Sequence, residues 1–320
     1  MTPRHGVLAP FAALALAACG GGTPVDTGPP PDVRLDQANR AGTQALSVDM
    51  PSLAVREYKV ALARAYERDD ATAIADVAYN LALAQMKAGD AKAALATVHD
   101  ARGELERRRV EIPAELFLVQ AAAAYRTGDL GGATAAAQDA LGRPAKDPDT
   151  VPRAWFIRGL VAADQGNGAA LDQAIAALPA GKQADLEADR QELQGRAALL
   201  GNRPADALAL FEQSASNRQQ ALDYRGMARA LSFAGDAALR SNRAAEAAEF
   251  FLRAGRSSLL RGDTAAALPL LKRAEDLARQ TAQAGIVEEV TRLRKVARPR
   301  RHDAGTGTGP AVDFAKGRDP

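Results

Sequence analysis

Cysteine, histidine and aromatic residues are scarce in this sequence, and each scarcity excludes something. The single cysteine, Cys19, cannot form a disulfide within the chain. The three histidines, His5, His99 and His302, have no cysteine or histidine partner at the spacing of a metal site. Aromatic residues make up only 4 %, and no segment shows the alternation of valine, isoleucine and threonine that is typical of a strand. The hydrophobic residues are mainly alanine and leucine, which predicts an all-α protein with closely packed helices.

The sequence also lacks the motifs of common enzymes. It contains no Gly-x-Ser-x-Gly elbow, no Gly-Lys-Ser/Thr phosphate loop and no His-Glu-x-x-His metal motif. The glycines of residues 305–309 follow no predicted strand and open no predicted helix, so we interpret them as a linker. Lys and Arg (41) nearly balance Asp and Glu (39), which argues against a dedicated nucleic-acid-binding protein. We therefore expect no enzymatic activity, no catalytic residue, no metal site and no cofactor.

What the sequence does contain is a repeated helix-turn-helix pattern. In residues 79–101, periodic apolar residues flank the turn Gly89-Asp90, where glycine can adopt the positive φ that ends a helix. Similar turns recur at Gly128, Gly166, Gly201, Ser241 and Gly262. Most of the intervals between these turns are typical of a solenoid of helix pairs. The interval from Ser241 to Gly262 is shorter and fits one helix plus a turn, so we expect residues 244–261 to close one pair and open the next.

Two of these turns are near-copies of each other. The segments 201–211 and 241–251 align without a gap and share Asn-Arg, an acidic residue, an alanine and a phenylalanine. This agreement indicates internal duplication.

The apolar periodicity and the turn residues together predict fourteen helices. Their predicted bounds are Asp32–Val48, Leu53–Arg68, 70–88, Ala91–Arg109, Ala114–Thr127, Leu130–Leu141, Pro152–Gln165, Ala169–Leu178, Lys182–Leu200, Pro204–Ser214, Gln219–Arg240, Ala244–Arg261, Thr264–Arg279 and Ala284–Ala297.

Residues 33–280 resemble the tetratricopeptide repeat family. Trp155 and Gly159 lie at that family's offsets before Gly166, and Ala94, Val98 and Ala101 follow Gly89 as the family's pattern requires. Several intervals exceed the usual repeat of about 34 residues, and the proline that usually ends the second helix is mostly missing. The resemblance implies a right-handed α-solenoid of antiparallel helix pairs, with about six to seven repeats over residues 33–298.

Residues 1–18 are predicted to be a targeting segment. A short polar start precedes an apolar stretch, Val7 to Ala18, which is too short to span a bilayer. It ends in Leu16-Ala17-Ala18-Cys19, which resembles the lipobox of bacterial lipoproteins. That resemblance implies lipid modification of Cys19 (a palmitate-type anchor) and, with Gly20 following, sorting to the outer membrane of a Gram-negative bacterium, facing the periplasm. An ordinary secretory peptide is the alternative.

Flexible segments are expected on both sides of the solenoid. Residues 19–32, rich in glycine and proline, are interpreted as a tether behind the lipidated cysteine. Residues 299–320, rich in glycine, proline and arginine, are interpreted as a disordered basic tail.

The resemblance also implies a binding surface, because first helices of tetratricopeptide pairs line the concave face of the superhelix. The positions that match the family's groove are Tyr79, Leu83, Met86, Lys87, Leu118, Tyr125, Arg126, Phe156 and Leu160. About half of these could instead pack between helices. Asn80 lies near a position that carboxylate-binding members use, but the basic companions of that position are absent.

Two functions fit these features. The first is a lipid-anchored periplasmic scaffold or adaptor that binds an unknown protein partner through its concave face and takes part in assembly of an envelope complex. The alternative is a glycan- or peptidoglycan-binding module, in which Trp155, Phe156 and Tyr125 would stack on sugars.

Overall fold

The computed structural model describes residues 30–179 and 183–297, and these residues form fourteen α-helices and no strand. The predicted signal segment, Cys19, most of the tether and the tail lie outside the described residues, so those expectations stay predictions. The helices are α1 Val33–Ser47, α2 Pro51–Glu67, α3 Ala71–Lys87, α4 Ala91–Arg107, α5 Ala114–Arg126, α6 Leu130–Leu141, α7 Thr150–Asp164, α8 Gly168–Ala177, α9 Ala184–Leu200, α10 Pro204–Gln220, α11 Tyr224–Arg240, α12 Ala244–Leu260, α13 Thr264–Gln280 and α14 Ala284–Ala297.

One type of turn joins most of these helices. A residue with positive φ ends the helix, and the amide of the next residue donates to a carbonyl five positions back, as Asp90 N does to Gln85 O at 2.9 Å. The same Asp90 then caps α4, because its carboxylate accepts from Ala93 N at 2.9 Å. One residue thus closes one helix and starts the next.

These turns recur at one constant interval in two regions. Positive φ occurs at residues 49, 69, 89 and 109, and again at 202, 222, 242, 262 and 282. Most helices in the two regions have 17 residues, whereas α5 to α8, between them, have 13, 12, 15 and 10. Within the described residues, the first and last regions are therefore regular and the region between them is irregular.

Consecutive helices pack in antiparallel pairs, and the described residues contain seven such pairs. The expected all-α solenoid of helix pairs is confirmed. One predicted helix, Gln219–Arg240, is wrong: α10 continues to Gln220, past the predicted end at Ser214, and a turn follows before α11. Leu222 occupies the positive-φ position of that turn, so no glycine marks it in the sequence.

The inferred duplication has a packing counterpart. Gly195 lies against the ring of Phe211, and Gly235 lies against the ring of Phe251, at the same separation along the chain. A Cβ on either glycine would come within 2.7 Å of that ring, so only glycine permits the close approach. Gly42 repeats this contact between α1 and α2, with a tyrosine at the same separation. A glycine and a large side chain on the following helix are thus a recurring unit of the packing.

The cores are built largely from alanine. Fully buried alanines recur through all parts of the described chain, among them Ala54, Ala94, Ala137, Ala207 and Ala274. Small side chains let adjacent helix backbones approach closely, in agreement with the composition. Within residues 30–179 and 183–297, no helix is both long and apolar enough to cross a membrane.

Candidate partner-binding surface

The predicted binding residues follow one rule of position in the structure. Tyr79 and Leu83 precede the positive-φ residue Gly89 by ten and six positions, and residues of the other odd-numbered helices occupy the same positions relative to their own turns. We call this set the odd-helix face. It comprises Asn39, Thr43, Tyr79, Leu83, Leu118, Ala122, Phe156, Leu160, Glu192, Arg196, Ser232, Asp236, Lys272 and Asp276.

Burial divides the predicted residues into two groups. Met86, Leu118 and Leu160 are only 5, 8 and 5 % exposed and belong to the cores between helices. Their apolar side chains stabilise the helix packing, which agrees with the alternative that part of the set packs between helices. A role of these three in partner binding stays a prediction. The side chains that keep contact with solvent are Tyr79, Leu83, Lys87, Tyr125, Arg126 and Phe156.

Tyr79 is half-buried beside a small cavity. The cavity has a volume of about 210 Å³, and Ala75, Leu116 and Pro113 form its apolar wall. Burial raises the pKa of the Tyr79 hydroxyl above its usual value. Tyr79 therefore presents an apolar ring and a neutral hydroxyl, a combination that suits a protein interface.

Tyr125 and Arg126 have partners within the chain. The Tyr125 hydroxyl donates to Asp164 Oδ2 at 2.7 Å, and burial together with this hydrogen bond raises its pKa to about 12. Arg126 Nη1 donates to Met86 O at 2.9 Å, at the C-terminal end of α3. Both side chains thus join neighbouring odd-numbered helices.

The other two aromatic residues named for sugar stacking lie close to arginines. The guanidinium of Arg158 lies 4.6 Å from the centre of the Trp155 ring. Those of Arg218 and Arg229 lie 5.9 Å from the Phe156 ring centre. Because these cations occupy part of the ring faces, neither ring is an open platform for a sugar. The glycan-binding module stays a prediction.

A buried ion network occupies the odd-helix face at α9. Glu192 is 0 % exposed and accepts from Arg218 Nη2 at 2.8 Å and from Arg229 Nη2 at 2.9 Å. Arg196 lies 3.5 Å from the same carboxylate and donates to Asp164 Oδ1 at 2.9 Å. The network therefore links α7, α9, α10 and α11.

The two buried acids of α9 have pKa values displaced in opposite directions. Burial alone would raise the pKa of Glu192, but the attraction of Arg229 and Arg218 overrides it and lowers the pKa to about 2. Burial dominates at Asp189 and raises its pKa to about 6, although Arg218 Nη2 lies 2.7 Å away. Glu192 is the fixed negative charge of the network, whereas Asp189 can change its protonation near neutral pH.

Arginines from distant parts of the chain lie close enough to repel one another. Desolvation lowers the pKa of Arg126, and repulsion by Arg229 and Arg225 lowers it further, although Arg126 keeps contact with solvent. Arg126 ends α5, and Arg225 lies in the first turn of α11. The C-terminal end of α5 and the first turn of α11 therefore lie within range of charge repulsion.

Sequence reasoning missed Glu192, Arg196, Arg225 and Arg229. The first two carry a local signal, because they precede Asn202 by the same ten and six positions that separate Tyr79 and Leu83 from Gly89. The offsets identify Glu192 and Arg196 only if they are counted from Asn202, which has the positive φ, and not from Gly201. Nothing local predicts that the charges of Arg225 and Arg229 act on Arg126.

His99 is exposed on α4, with its nearest acidic neighbour, Asp100, 3.6 Å away. Across the described residues, no group of three or more histidine, cysteine, aspartate or glutamate side chains could hold a metal ion. The turn at Gly262 is followed by a helix cap. The carboxylate of Asp263 caps α13 by accepting from Ala266 N at 3.1 Å.

No family model and no curated protein matches this sequence. The solved structures to which the chain is similar include the following three. The TPR2AB domain of yeast Sti1 in a complex with pHSP90 is 16 % identical, with 82 % of this chain and 98 % of that chain covered and a TM-score of 0.34. A tetratricopeptide repeat protein from Parabacteroides merdae ATCC 43184 is 14 % identical over 82 % and 98 %, with a TM-score of 0.46. BtubC (BKLC) from P. vanneervenii is 15 % identical over 88 % and 97 %, with a TM-score of 0.31. Values this low assign neither a partner nor an activity to this chain.

Proposed function

We propose that this protein is a non-enzymatic scaffold that binds a protein partner through the odd-helix face of α3 to α7. The observation that carries the proposal is the solvent-accessible remainder of that face. Tyr79, Leu83 and Phe156 are half-buried apolar residues on α3 and α7, and the exposed Arg126 ends α5, the odd-numbered helix between them. Aromatic residues and arginine are the side chains that most often anchor protein interfaces.

The arrangement favours a partner protein over a small substrate. The contacting residues extend over three repeats and present rings and a guanidinium group, without a nucleophile paired to a base. Extended surfaces of this kind are what solenoid repeats offer to other proteins.

We place this scaffold at the periplasmic face of the outer membrane, with the lipid on Cys19 as its anchor, as part of the assembly of an envelope complex. The support is the sequence Leu16-Ala17-Ala18-Cys19, which lies outside the described residues. Two or more acyl chains suffice for stable anchoring. Replacing Cys19 by alanine should release the protein from the outer-membrane fraction; a variant that still fractionates with the outer membrane would refute the lipid anchor.

Partner binding can be tested by site-specific photo-crosslinking in the cell envelope. A photo-reactive phenylalanine analogue in place of Tyr79 should capture a discrete protein partner. Tyr66 on α2 is a matched control, because it is also a partly exposed tyrosine but lies off the odd-helix face. Equal capture at both positions, or none at Tyr79, would count against the proposed surface.

A further inference from the structure

A groove that the sequence did not indicate opens beside α11. It has a volume of about 360 Å³ and lies between the end of α10, the first half of α11 and the second half of α12. Tyr224, Met227, Leu231 and Leu260 form its apolar lining. Leu260 is 72 % exposed and Tyr224 is 44 % exposed, so the apolar lining continues onto the surface. Exposed apolar residues that join a groove mark places where another molecule can bind.

Three arginines also line the groove, and two of them have no acidic partner among the described residues. Arg256 pairs with Glu289 at 2.6 Å, whereas Arg253 and Arg261 form no ion pair within the part of the chain that the structure describes. Arg261 Nε donates to Ser257 O at 3.1 Å, and its Nη1 is buried without a hydrogen-bond partner among the described residues. Desolvation and repulsion by Arg225 lower the pKa of Arg261, although Asp263, Asp49 and Asp223 oppose this. None of the residues that line the groove is acidic, so the lining itself is positively charged.

We propose that this groove binds a short acidic segment of a partner protein, with an apolar side chain against Tyr224, Met227 and Leu260 and side-chain carboxylates on the arginines. Arginine pairs with carboxylates through two parallel hydrogen bonds, and the apolar lining adds a contact that a simple anion cannot make. A basic segment would be repelled by the same arginines. The inference rests on the proposed scaffold function and adds to it the chemistry of the partner and a second contact region.

Defined peptides test the chemistry directly. The purified full chain, kept in detergent, is titrated into a short fluorescein-labelled peptide that contains leucines and glutamates, and anisotropy reports binding. Replacing the leucines by serine, or the glutamates by glutamine, should weaken binding at least about tenfold, because each removes one of the two required contacts. A peptide with lysine in place of glutamate should not bind.

Matched variants test whether the peptide binds in the groove. Arg256→Ala and Leu260→Ser should each weaken binding about tenfold. Arg243→Ala is the control for the arginine, because Arg243 is 48 % exposed against 44 % for Arg256 and is likewise paired with a glutamate, Glu246. Arg243 lies at the opposite end of the α11 and α12 pair. Val60→Ser, on α2, is the control for the exposed leucine, because Val60 is 59 % exposed. Neither control should change the affinity, and circular dichroism should show all four variants folded.

Several results would overturn the inference. The first is that the groove variants bind the acidic peptide as tightly as the control variants do. The second is that the peptide with glutamine binds as tightly as the peptide with glutamate. The third is that the protein binds anionic lipid vesicles and the acidic peptide does not displace them. The outcome is separable from that of the crosslinking test. Peptide binding that depends on Arg256 and Leu260 supports the groove even if Tyr79 captures no partner. A partner captured at Tyr79, with no peptide in the groove, supports the scaffold and refutes the groove.

Discussion

Helices α3 and α9 occupy the same place in the repeat but use it in opposite ways. Both have 17 residues, and both end two positions before a positive-φ residue, Gly89 or Asn202. Ten positions before that turn α3 has Tyr79, half-buried and open to solvent, whereas α9 has the fully buried Glu192. Six positions before it, Leu83 corresponds to Arg196. The same repeat position can thus hold a solvent-accessible side chain, as at Tyr79, or a side chain buried in contacts within the chain, as at Glu192.

The difference follows from what lies next to each helix. Helix α3 belongs to the regular first region and buries mainly apolar side chains, with Gln85 as its one buried polar residue. Helix α9 follows the irregular middle, and it buries Asp189, Gln191 and Glu192. Arginines from α10 and α11 cover those acids. We infer that the ion network fixes the junction between the irregular middle and the regular second region.

Replacing Glu192 by glutamine should produce the largest effect. The buried guanidinium groups of Arg218, Arg229 and Arg196 would lose their shared negative charge, and breaking a buried ion pair from one side costs about 3–5 kcal/mol. Tyr79→Phe, at the corresponding position of α3, should change the free energy of unfolding by less than about 0.5 kcal/mol. Urea unfolding followed by circular dichroism measures both variants. Equal stabilities would show that the network contributes nothing to the junction.

Gly195 offers a second test of the same two helices, because the corresponding residue of α3 is Ala82. A Cβ at Gly195 would lie 2.6 Å from the Phe211 ring, so Gly195→Ala should destabilise the protein by about 1–3 kcal/mol despite the better helix propensity of alanine. Ala82→Gly, which adds no clash, should cost about 1 kcal/mol.

A repacked variant distinguishes the clash from other causes. Adding Phe211→Leu to Gly195→Ala makes room for the new methyl group and should restore part of the lost stability, which thermal unfolding can measure. A double variant less stable than the sum of the two single changes would contradict this explanation.

The sequence predicted the turns that glycine marks but not those that it does not. Gly89, Gly128, Gly166 and Gly262 all have positive φ, and the helices around them begin and end within a few residues of the predicted bounds. Leu222 has φ of 58°, and with no glycine at this turn one long helix was predicted in its place. The hydrogen bond from Asp223 N to Arg218 O and the cap made by Asp223 hold Leu222 in that conformation.

The same limit applies to the candidate surface. Offsets from the turn predict which residues lie on the odd-helix face, because the helix period is local. They do not predict that neighbouring helices cover Met86, Leu118 and Leu160. The offsets also do not predict that Arg126 lies within range of the charge of Arg225. That proximity depends on the path of the chain over three repeats.

Substitutions at Leu222 and Gly89 compare a turn without glycine with a turn that has one. We expect them to change the free energy of unfolding by less than Glu192→Gln or Gly195→Ala does. Leu222 is 71 % exposed and loses little packing on replacement, so Leu222→Gly should stabilise the protein by about 1 kcal/mol through relief of its positive φ. Gly89→Ala should destabilise it by about 1 kcal/mol for the same reason. Thermal unfolding of the two variants should shift in opposite directions. A shift of both to lower temperature would mean that the Leu222 side chain contributes contacts in the folded state.

Protonation of Asp189 should give the smallest change in the free energy of unfolding. The direction of the change with pH follows from the burial of Asp189. Its pKa is raised to about 6 in the folded chain, so the folded state binds a proton that the unfolded state has already lost. The stability from this group is present at low pH and is lost as the pH rises through about 6. Between about pH 5.5 and about pH 7.5 it should fall by about 0.8 kcal/mol. Asp189→Asn should remove this part of the pH profile.

Asp76, at the corresponding position of α3, is the control because it is exposed and pairs with Lys146 at 3.4 Å. Asp76→Asn should leave the pH profile of the free energy of unfolding unchanged, since the Asp76 side chain is exposed to solvent. Parallel profiles for the unmodified protein and Asp189→Asn would mean that Asp189 stays ionised beside Arg218. The network at α9 would then carry two fixed negative charges, and its pH response would not differ from that of α3.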